Sequence, residues 1–454
     1  MTRFIFLFIV YLIPVVTLAQ SGTVGELSWT LSDGTLTVSG TGAMPDYEDN
    51  ASLLPDYDSG SPWQPYRESI LAVVIEDGVT RIGDEAFMFC EWMESVSLPD
   101  GLTAIGKEAF KDCDALTSLT VPGSVKTMGE GAFSSCNTLT SVILLDGITC
   151  IGEKAFSACS ALTSVTLPGS LTCIEAFAFY YCSHLASVTF PDGLTRIGTQ
   201  AFDCCRALTS VTLPGSLTHI GEGAFTTSGL TSITLLDGIT GIGKGAFSVC
   251  SALTSVTLPG SLTRIEASAF AYCRSLGAFT VPRSVTVIGA GAFASCSSLT
   301  SITVEEGNTA YVSDDGILFN HDRSKLIQYP AGKTGERYTP PGSVTVVEAR
   351  AFEGSLPTSV ILPAGVTHVG TGAFYDCSAL TSVTLPGSIT YIGEYPFLGC
   401  TALKDVTAGW RTPFPIENFE SVSADSLTLH VPAGTKALYE SSPSWKDFGT
   451  IVEE

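Results

Sequence analysis

The chain has 454 residues, 45% of them hydrophobic, so it carries ample apolar material for a large folded core. Its formal net charge is −23, and no basic stripe interrupts the acidic composition. An acidic surface repels nucleic-acid phosphates and anionic lipid headgroups. The composition therefore argues against nucleic acid and membrane surfaces as partners.

Residues 1–19 have the form of an export signal. Arg3 supplies a positive charge, residues 4–18 form an apolar core, and Thr17-Leu18-Ala19 resembles a cleavage site. An uncleaved anchor is the alternative, although the apolar core is short for a membrane span. We therefore expect a signal peptide over residues 1–19. The mature chain, with no membrane span after signal removal, should be secreted or held at the cell surface.

Residues 20–67 are predicted to form a β-rich N-terminal cap. Two alternating apolar segments flank Ser32-Asp33-Gly34, which is a hairpin signal, and Trp29 and Trp63 can cover the first coil of the repeats that begin at residue 68. An acidic cluster lies between the two tryptophans: Asp46, Glu48, Asp49, Asp56 and Asp58. Calcium binding is conceivable, but the spacing fits no EF-hand loop, so we favour a solvated acidic loop.

From residue 68 to residue 402 the chain repeats a unit of about 23 residues. In a representative unit, Leu253, Val256 and Leu258 have the spacing of a short strand, and Leu262 and Ile265 form a second inward pair. A fixed period in the twenties predicts a solenoid whose coils bury their apolar sides by stacking. Each unit carries one phenylalanine, namely Phe87, Phe110, Phe133, Phe156, Phe179, Phe202, Phe225, Phe247, Phe270, Phe293, Phe352, Phe374 or Phe397.

These units resemble the leucine-rich repeats of the BspA-like bacterial surface protein family. The pattern C-x-x-L-x-x-I-x-L-P…I-G-x-x-A-F runs from about Ile70 to Cys400. The resemblance implies a leucine-rich repeat solenoid, a curved right-handed coil stack with a parallel β-sheet on one face. It also implies a secreted or surface-displayed, non-enzymatic protein-binding or adhesion scaffold, with extracellular or host-surface proteins as partners.

Eleven of the fourteen cysteines share one column, three residues after the phenylalanine. We predict buried free thiols, because in-register stacking holds neighbouring Cβ atoms too far apart for a disulfide. Cys150 and Cys173 share a second column in adjacent coils, and for them a disulfide and two free thiols are both open. The column comprises Cys90, Cys113, Cys136, Cys159, Cys182, Cys205, Cys250, Cys273, Cys296, Cys377 and Cys400.

The outward positions of the first strand are almost all serine and threonine. Ser118, Ser141 and Ser164 begin one column, and Thr166, Thr189 and Thr212 begin the other. Such residues suit an exposed sheet, and binding hot spots favour Trp, Tyr and Arg instead. The alternative is a hydroxyl array that recognises glycan or another regular surface.

More varied residues precede the second apolar position and follow the phenylalanine. Relaxed constraint explains such variation as well as partner recognition does. If a partner binds there, the candidate residues are Arg81, Arg196, His219, Arg264, Tyr180, Tyr181 and Tyr272.

The repeat is interrupted once and ends with a second cap. Residues 305–340 are predicted to form a hairpin insert whose exposed turn adds His321 and Arg323 to the binding candidates. BspA-like proteins often carry a similar D-G-x-L-F-N…L-I-x-Y-P insert. Residues 403–454 are predicted to cap the solenoid, with a strand over 427–431, a short helix near 435–440, and Trp445 packed on the last coil.

No catalytic pattern is found in the sequence. None of the five histidines forms an H-x-x-x-H or H-E-x-x-H pair, and G-x-S-x-G, P-loop and dinucleotide fingerprints do not occur. We therefore expect no catalytic residues, no metal site and no cofactor.

Overall fold

The computed structural model describes residues 19–47, 60–416 and 424–454. The predicted signal peptide up to residue 18 lies outside these ranges, as do Glu48, Asp49, Asp56 and Asp58 of the acidic loop. The described chain winds into a parallel β-solenoid, as the repeat and the family resemblance predict. Most coils contribute two short strands, which stack into two ladders, and a turn-rich third side.

The first ladder, here the Ser/Thr ladder, stacks the strands that carry the outward Ser and Thr columns. Ser141 pairs with Ser118 and Ser164, and Ser232 pairs with Ser210 and Ser255. Inward Val and Leu alternate with outward polar residues, because successive side chains of a strand point to opposite faces. Its strands are Ala72–Ile75, Ser95–Ser97, Ser118–Val121, Ser141–Leu144, Ser164–Thr166, Ser210–Leu213, Ser232–Leu235, Ser255–Thr257, Ala278–Val281, Ser301–Val304, Arg337–Tyr338, Ser359–Ile361, Ser382–Leu385 and Asp405–Ala408.

The second ladder, here the isoleucine ladder, is built from shorter strands that end on the second inward apolar residue. The varied column predicted from the sequence forms its outward row. The strands are Val79–Ile82, Ala104–Ile105, Thr127–Met128, Cys150–Ile151, Cys173–Ile174, Arg196–Ile197, His219–Ile220, Gly241–Ile242, Arg264–Ile265, Val287–Ile288, Val346–Val347, His368–Val369 and Tyr391–Ile392.

The third side of each coil is a run of turns joined to its neighbours by backbone hydrogen bonds. The amide of Phe87, for example, donates to the carbonyl of Ala109 at 2.8 Å. Two positions per coil have positive φ, as at Glu85 (57°) and Phe89 (61°), and non-glycine residues occupy many of them. Left-handed backbone costs a non-glycine residue about 1–2 kcal/mol, so stacking must hold these turns in place.

The core is a file of parallel aromatic rings. Trp63 of the N-terminal cap stacks on Phe87 with centroids 5.3 Å apart, and the file then runs through every repeat phenylalanine to Phe293. A second file begins at Tyr329, which stacks on Phe352, and continues to Phe397. The buried residues accordingly form two hydrophobic clusters that meet near residues 317 and 318. The repeat by itself predicts one continuous apolar spine, and this prediction is wrong, because the insert separates the rings into two files.

Cysteine and threonine side chains add a second set of bonds between coils. Column thiols donate to the phenylalanine carbonyl of the preceding coil, as from Cys136 to Phe110 at 3.2 Å. All eleven are buried and free, which confirms that prediction. The reason given for it is wrong, because in-register stacking brings Cys150 and Cys173 close enough to bond. Threonine hydroxyls just before many strands donate to the carbonyl of the equivalent residue in the preceding coil, as from Thr163 to Thr140 at 3.0 Å.

Cys150 and Cys173 form a disulfide, which decides between the two open alternatives. Their residues pair in register on neighbouring strands of the isoleucine ladder, with Cα atoms 4.7 Å apart. This outward column places the two sulfur atoms at the surface side of the ladder, where both residues are half-buried. The bond therefore joins two coils outside the core.

The N-terminal cap extends both ladders. Its strands are Gln20–Val24, Leu27–Ser32, Thr35–Gly40 and Gly42–Ala43, followed by a 3₁₀ helix at Gln64–Ser69. The second and third strands form the predicted hairpin. The third strand then pairs in parallel with Ala72–Ile75, and the fourth with Val79–Ile82, so the cap completes a partial coil.

The C-terminal segment continues the Ser/Thr ladder. Its strands Thr428–Val431 and Thr450–Glu453 add to Asp405–Ala408 in parallel, with a 3₁₀ helix at Ala424–Ser426 and an α-helix at Lys436–Ser441. Trp445 is fully buried and lies 6.1 Å from the ring of Trp410. These elements match the predicted strand and helix to within a few residues.

The insert contributes three antiparallel strands, one more than predicted: Tyr311–Asp314, Ile317–Asn320 and Lys325–Gln328. The third strand pairs in parallel with Val346–Val347 and so restarts the isoleucine ladder. Glu353 is fully buried and contacts coils on both sides of the insert. It accepts hydrogen bonds from Tyr272 (2.8 Å) and Ser295 (3.1 Å) and forms an ion pair with Arg350 (2.9 Å).

Candidate binding surface

Two of the residues predicted to bind a partner make structural contacts instead. Arg81 forms ion pairs with Asp46 at 2.5 Å and Asp84 at 2.9 Å, so it holds the N-terminal cap to the first coils. Burial raises the pKa of Asp46, but the amide of Asp84 and the guanidinium of Arg81 outweigh it and lower the pKa. Tyr272 donates to the buried carboxylate of Glu353, and burial followed by this bond raises its pKa to about 12.

Three predicted residues lie together on the exposed row of the isoleucine ladder. Arg196 and His219 stand on neighbouring strands, and Arg264 lies two strands beyond His219, across Gly241. Each arginine is paired with a carboxylate, Arg196 with Glu175 at 3.1 Å and Arg264 with Glu266 at 3.2 Å. The row is therefore polar and close to neutral, without an excess of positive charge.

Tyr180 and Tyr181 form a small aromatic patch on the turn side of the solenoid. Their rings meet edge to face at 5.0 Å, and Phe177 contacts Tyr180 at 5.8 Å. Tyr181 is exposed, whereas Tyr180 is half-buried. The patch lies on a different side of the coils from the isoleucine row.

The insert turn carries His321 and Arg323 beside the restart of the isoleucine ladder. Both are exposed, and Arg323 forms an ion pair with Asp314 at 3.1 Å. The amide of His321 donates to the carbonyl of Ala310 at 2.9 Å. The turn therefore has a defined shape close to the strand Lys325–Gln328.

Two cavities open on the isoleucine side at the insert, and they share Lys325 and Glu348. The one on the C-terminal side, about 410 Å³, is also lined by His368 and Tyr391. These two exposed rings lie 5.8 Å apart on adjacent strands, and Lys325 pairs with Glu348 at 3.1 Å. We call the surface formed by Lys325, Glu348, His368 and Tyr391 the insert face. It combines two aromatic rings with both signs of charge, and Tyr391 is of a type that is enriched at protein-binding hot spots.

The cavity on the N-terminal side, about 340 Å³, lies where the isoleucine ladder is broken. Thr286, Ile288 and Ala290 form one wall, and Tyr311 and Asn320 of the insert form the other. The amide of Ile288 donates to the hydroxyl of Tyr311 at 2.7 Å. Burial raises the pKa of Tyr311, so its hydroxyl stays protonated and neutral at physiological pH. We call this cavity the ladder slot.

His368 and Tyr391 belong to the varied column but are not among the residues predicted to bind. The sequence analysis also did not identify Lys325, Glu348 and Tyr311 as residues of a binding surface. One signal was available, since Lys325-Leu326 repeats the polar-then-apolar pair found in several isoleucine strands, such as Arg196–Ile197 and Arg264–Ile265. The insert obscures this signal, because the aromatic residue that follows Leu326 is Tyr329, three residues later, whereas a phenylalanine follows five residues later in the regular repeats.

Cysteine chemistry offers little at this surface. Burial raises the pKa of the Cys90 and Cys250 thiols to about 12, so they stay protonated and unreactive at neutral pH. Within the described residues, the one group with metal-ligand atoms in close proximity is Cys150, Cys173 and Glu175. Its two sulfur atoms are joined in the disulfide. The same described residues contain no helix long and apolar enough to cross a membrane.

Comparison with known proteins identifies the repeat. The chain matches the family model described as "BspA type Leucine rich repeat region (6 copies)" at residues 66–172, 149–277, 218–317 and 334–429. No curated protein matches the sequence significantly.

Several solved structures are similar to the chain. A leucine-rich cell surface protein from Faecalibacterium prausnitzii is 23% identical, with 96% of this chain and 95% of that chain covered and a TM-score of 0.50. A leucine-rich repeat protein from Bacteroides ovatus is also 23% identical, with 85% and 94% covered and a TM-score of 0.48. The pneumococcal vaccine antigen PcpA is 18% identical, with 96% and 98% covered and a TM-score of 0.40. At these identities the first match supports the fold alone.

Proposed function

Because the chain belongs to the BspA-type leucine-rich repeat family, we propose that it is an exported, non-enzymatic scaffold that binds other proteins at the bacterial surface. A rigid solenoid offers an extended area instead of a deep reaction pocket, which suits recognition of macromolecules. The partner class we propose is extracellular protein, including proteins of a host surface or matrix.

The insert face is the observation that carries this proposal. It places exposed Tyr391 and His368 beside the Lys325–Glu348 pair in one cavity. Aromatic residues at such positions supply large contact areas with little loss of side-chain entropy, and they dominate binding energies at protein interfaces.

The Ser/Thr ladder supports glycan or regular-surface binding less well. Its hydrogen-bonded strands fall into separate sheets, with a break between Ser255–Thr257 and Ala278–Val281. Exposed Ile143 replaces the outward threonine in one coil. The hydroxyl rows are therefore neither continuous nor uniform over the length that a regular ligand would have to match.

The test is binding of the mature protein to a panel of immobilised extracellular matrix and cell-surface proteins, measured by biolayer interferometry. We expect saturable binding to at least one member and a loss of tenfold or more in the variant His368→Ala/Tyr391→Ala. The matched control is His219→Ala, which removes an exposed ring from the same row of an uninterrupted coil. Failure to bind any member, or equal binding by both variants, would contradict the proposal.

A further inference from the structure

The isoleucine ladder is broken at the ladder slot, and the break leaves one strand edge without its next neighbour. In the two coils before the break, each strand and its flanking residues donate backbone amides to the strand before it. The amide of Thr263 bonds the carbonyl of Thr240 at 2.9 Å, and the amide of Glu266 bonds that of Ile242 at 3.0 Å. One coil later, Thr286 and Gly289 donate in the same way at 2.9 and 2.8 Å.

The strand Val287–Ile288 does not receive such bonds in turn. Within residues 19–47, 60–416 and 424–454, no amide or side chain donates to the carbonyl oxygens of Thr286 or Ile288, and the strand pairs only with Arg264–Ile265. The pattern resumes beyond the insert, where Glu348 donates to Leu326 at 3.0 Å. Two acceptors with the spacing of alternate residues therefore face the slot.

Tyr311 occupies the position of one missing backbone group. The N–H and C=O of one residue in an extended strand point to the same edge, so both groups of Ile288 face the slot. The hydroxyl of Tyr311 accepts from the N–H of Ile288, which satisfies the donor and leaves the carbonyl free. The edge therefore needs amide donors and does not need a further acceptor.

We propose that the ladder slot binds an extended peptide segment of a partner protein by adding it as a parallel strand beside Val287–Ile288. Two backbone amides of the segment donate to the carbonyls of Thr286 and Ile288, as Thr286 and Gly289 themselves donate to the carbonyls of Thr263 and Ile265. The ladder thus defines one feature of the occupant, an apolar residue at the inward position, as Ile265 and Val347 provide in neighbouring strands. Strand addition of this kind takes its affinity from main-chain bonds and its specificity from alternate side chains.

This inference rests on the proposed function in one respect, that the partner is a protein. Its test measures binding of a synthetic peptide instead of binding to the protein panel. The probe is a fluorescein-labelled peptide with the sequence of residues 261–268, SLTRIEAS, whose amides at Thr263 and Glu266 make these bonds in the folded ladder. We expect saturable binding by fluorescence polarisation. N-methylation of those two amides should weaken it at least tenfold.

Two matched protein variants locate the binding. Ala290→Trp fills the slot from its exposed wall, and Thr199→Trp puts the same ring at the equivalent exposed place in an unbroken coil. We expect loss of binding in the first and wild-type binding in the second, with unchanged circular dichroism in both.

Equal binding of the methylated peptide, no binding by the wild type, or full binding by Ala290→Trp would each overturn the inference. A concentration-dependent dimer of the wild type that Ala290→Trp abolishes would assign the slot to a second copy of the chain, and would overturn it as well. If no protein of the panel binds but the peptide binds as expected, the result contradicts the proposed function and supports strand binding at the ladder slot.

Discussion

Replacing Arg350 with alanine should destabilise the protein more than any neutral replacement of its partner Glu353. The Glu353 side chain is completely buried, whereas the Arg350 side chain is 38% exposed. Arg350→Ala leaves an enclosed carboxylate with two hydroxyl donors and no cation, a loss that costs about 3–5 kcal/mol in buried pairs. Glu353→Gln keeps an oxygen for Tyr272 and Ser295 and leaves a guanidinium that water can reach. We expect it to cost about 1–2 kcal/mol, as for one lost charged hydrogen bond.

The assay is urea denaturation of both single variants and of the double variant Arg350→Ala/Glu353→Gln, followed by circular dichroism. The double variant should be more stable than Arg350→Ala alone, because it no longer contains an uncompensated buried charge. The reasoning is refuted if Glu353→Gln is the more damaging single change, or if the two losses simply add.

Four further outcomes are expected. Phe202→Ala removes stacking on both neighbouring rings, at 5.2 and 5.3 Å, and should cost about 3–5 kcal/mol. Because coils touch only their neighbours, urea unfolding should also split into two transitions, and a single unshifted transition would contradict this. Val249→Gly should stabilise the protein by about 0.5–1 kcal/mol, because Val249 has a φ of 59°, and a lower urea midpoint would count against the assigned turn. Thiol titration of the denatured, unreduced protein should find twelve thiols, and Cys150→Ser/Cys173→Ser should lose about 3 kcal/mol from a loop of 23 residues. Fourteen titrated thiols would exclude the bond. Tyr272 has a folded pKa of about 12 against about 10 in an unfolded chain, so its contribution is intact below pH 10 and is lost as the pH rises through 12. Tyr272→Phe should flatten stability over that window, and an unchanged pH dependence would refute the assignment.

The architecture could be predicted because one residue type marks every coil. A phenylalanine every 22 or 23 residues can be buried in register only if the coils stack, so the ring file and the thiol column followed directly. The interruption could not be predicted in the same way. In the insert coil, the ring position is taken by Tyr329, three residues after Leu326, whereas a phenylalanine follows five residues after the inward residue of the other isoleucine strands. The insert coil therefore does not align with the repeat.

The candidate surface was less accessible to sequence reasoning because residue type alone does not show what a side chain contacts. Arg81 and Tyr272 are attractive binding residues by composition, yet their partners Asp46 and Glu353 lie far along the chain and engage them in the fold. Conversely, Lys325 and Glu348 become neighbours only because the insert restarts the ladder.

The buried thiol column has a consequence for how such a chain can mature. Twelve reduced cysteines are protected in the native state only by being enclosed. In an oxidising compartment, a coil that folds slowly exposes its column thiol, which can then form a wrong disulfide with the column thiol of another coil. If the chain is exported as proposed, the solenoid must therefore fold faster than its thiols are oxidised. In the folded protein these thiols are enclosed, but global unfolding under oxidising conditions would expose them and allow non-native disulfides to form.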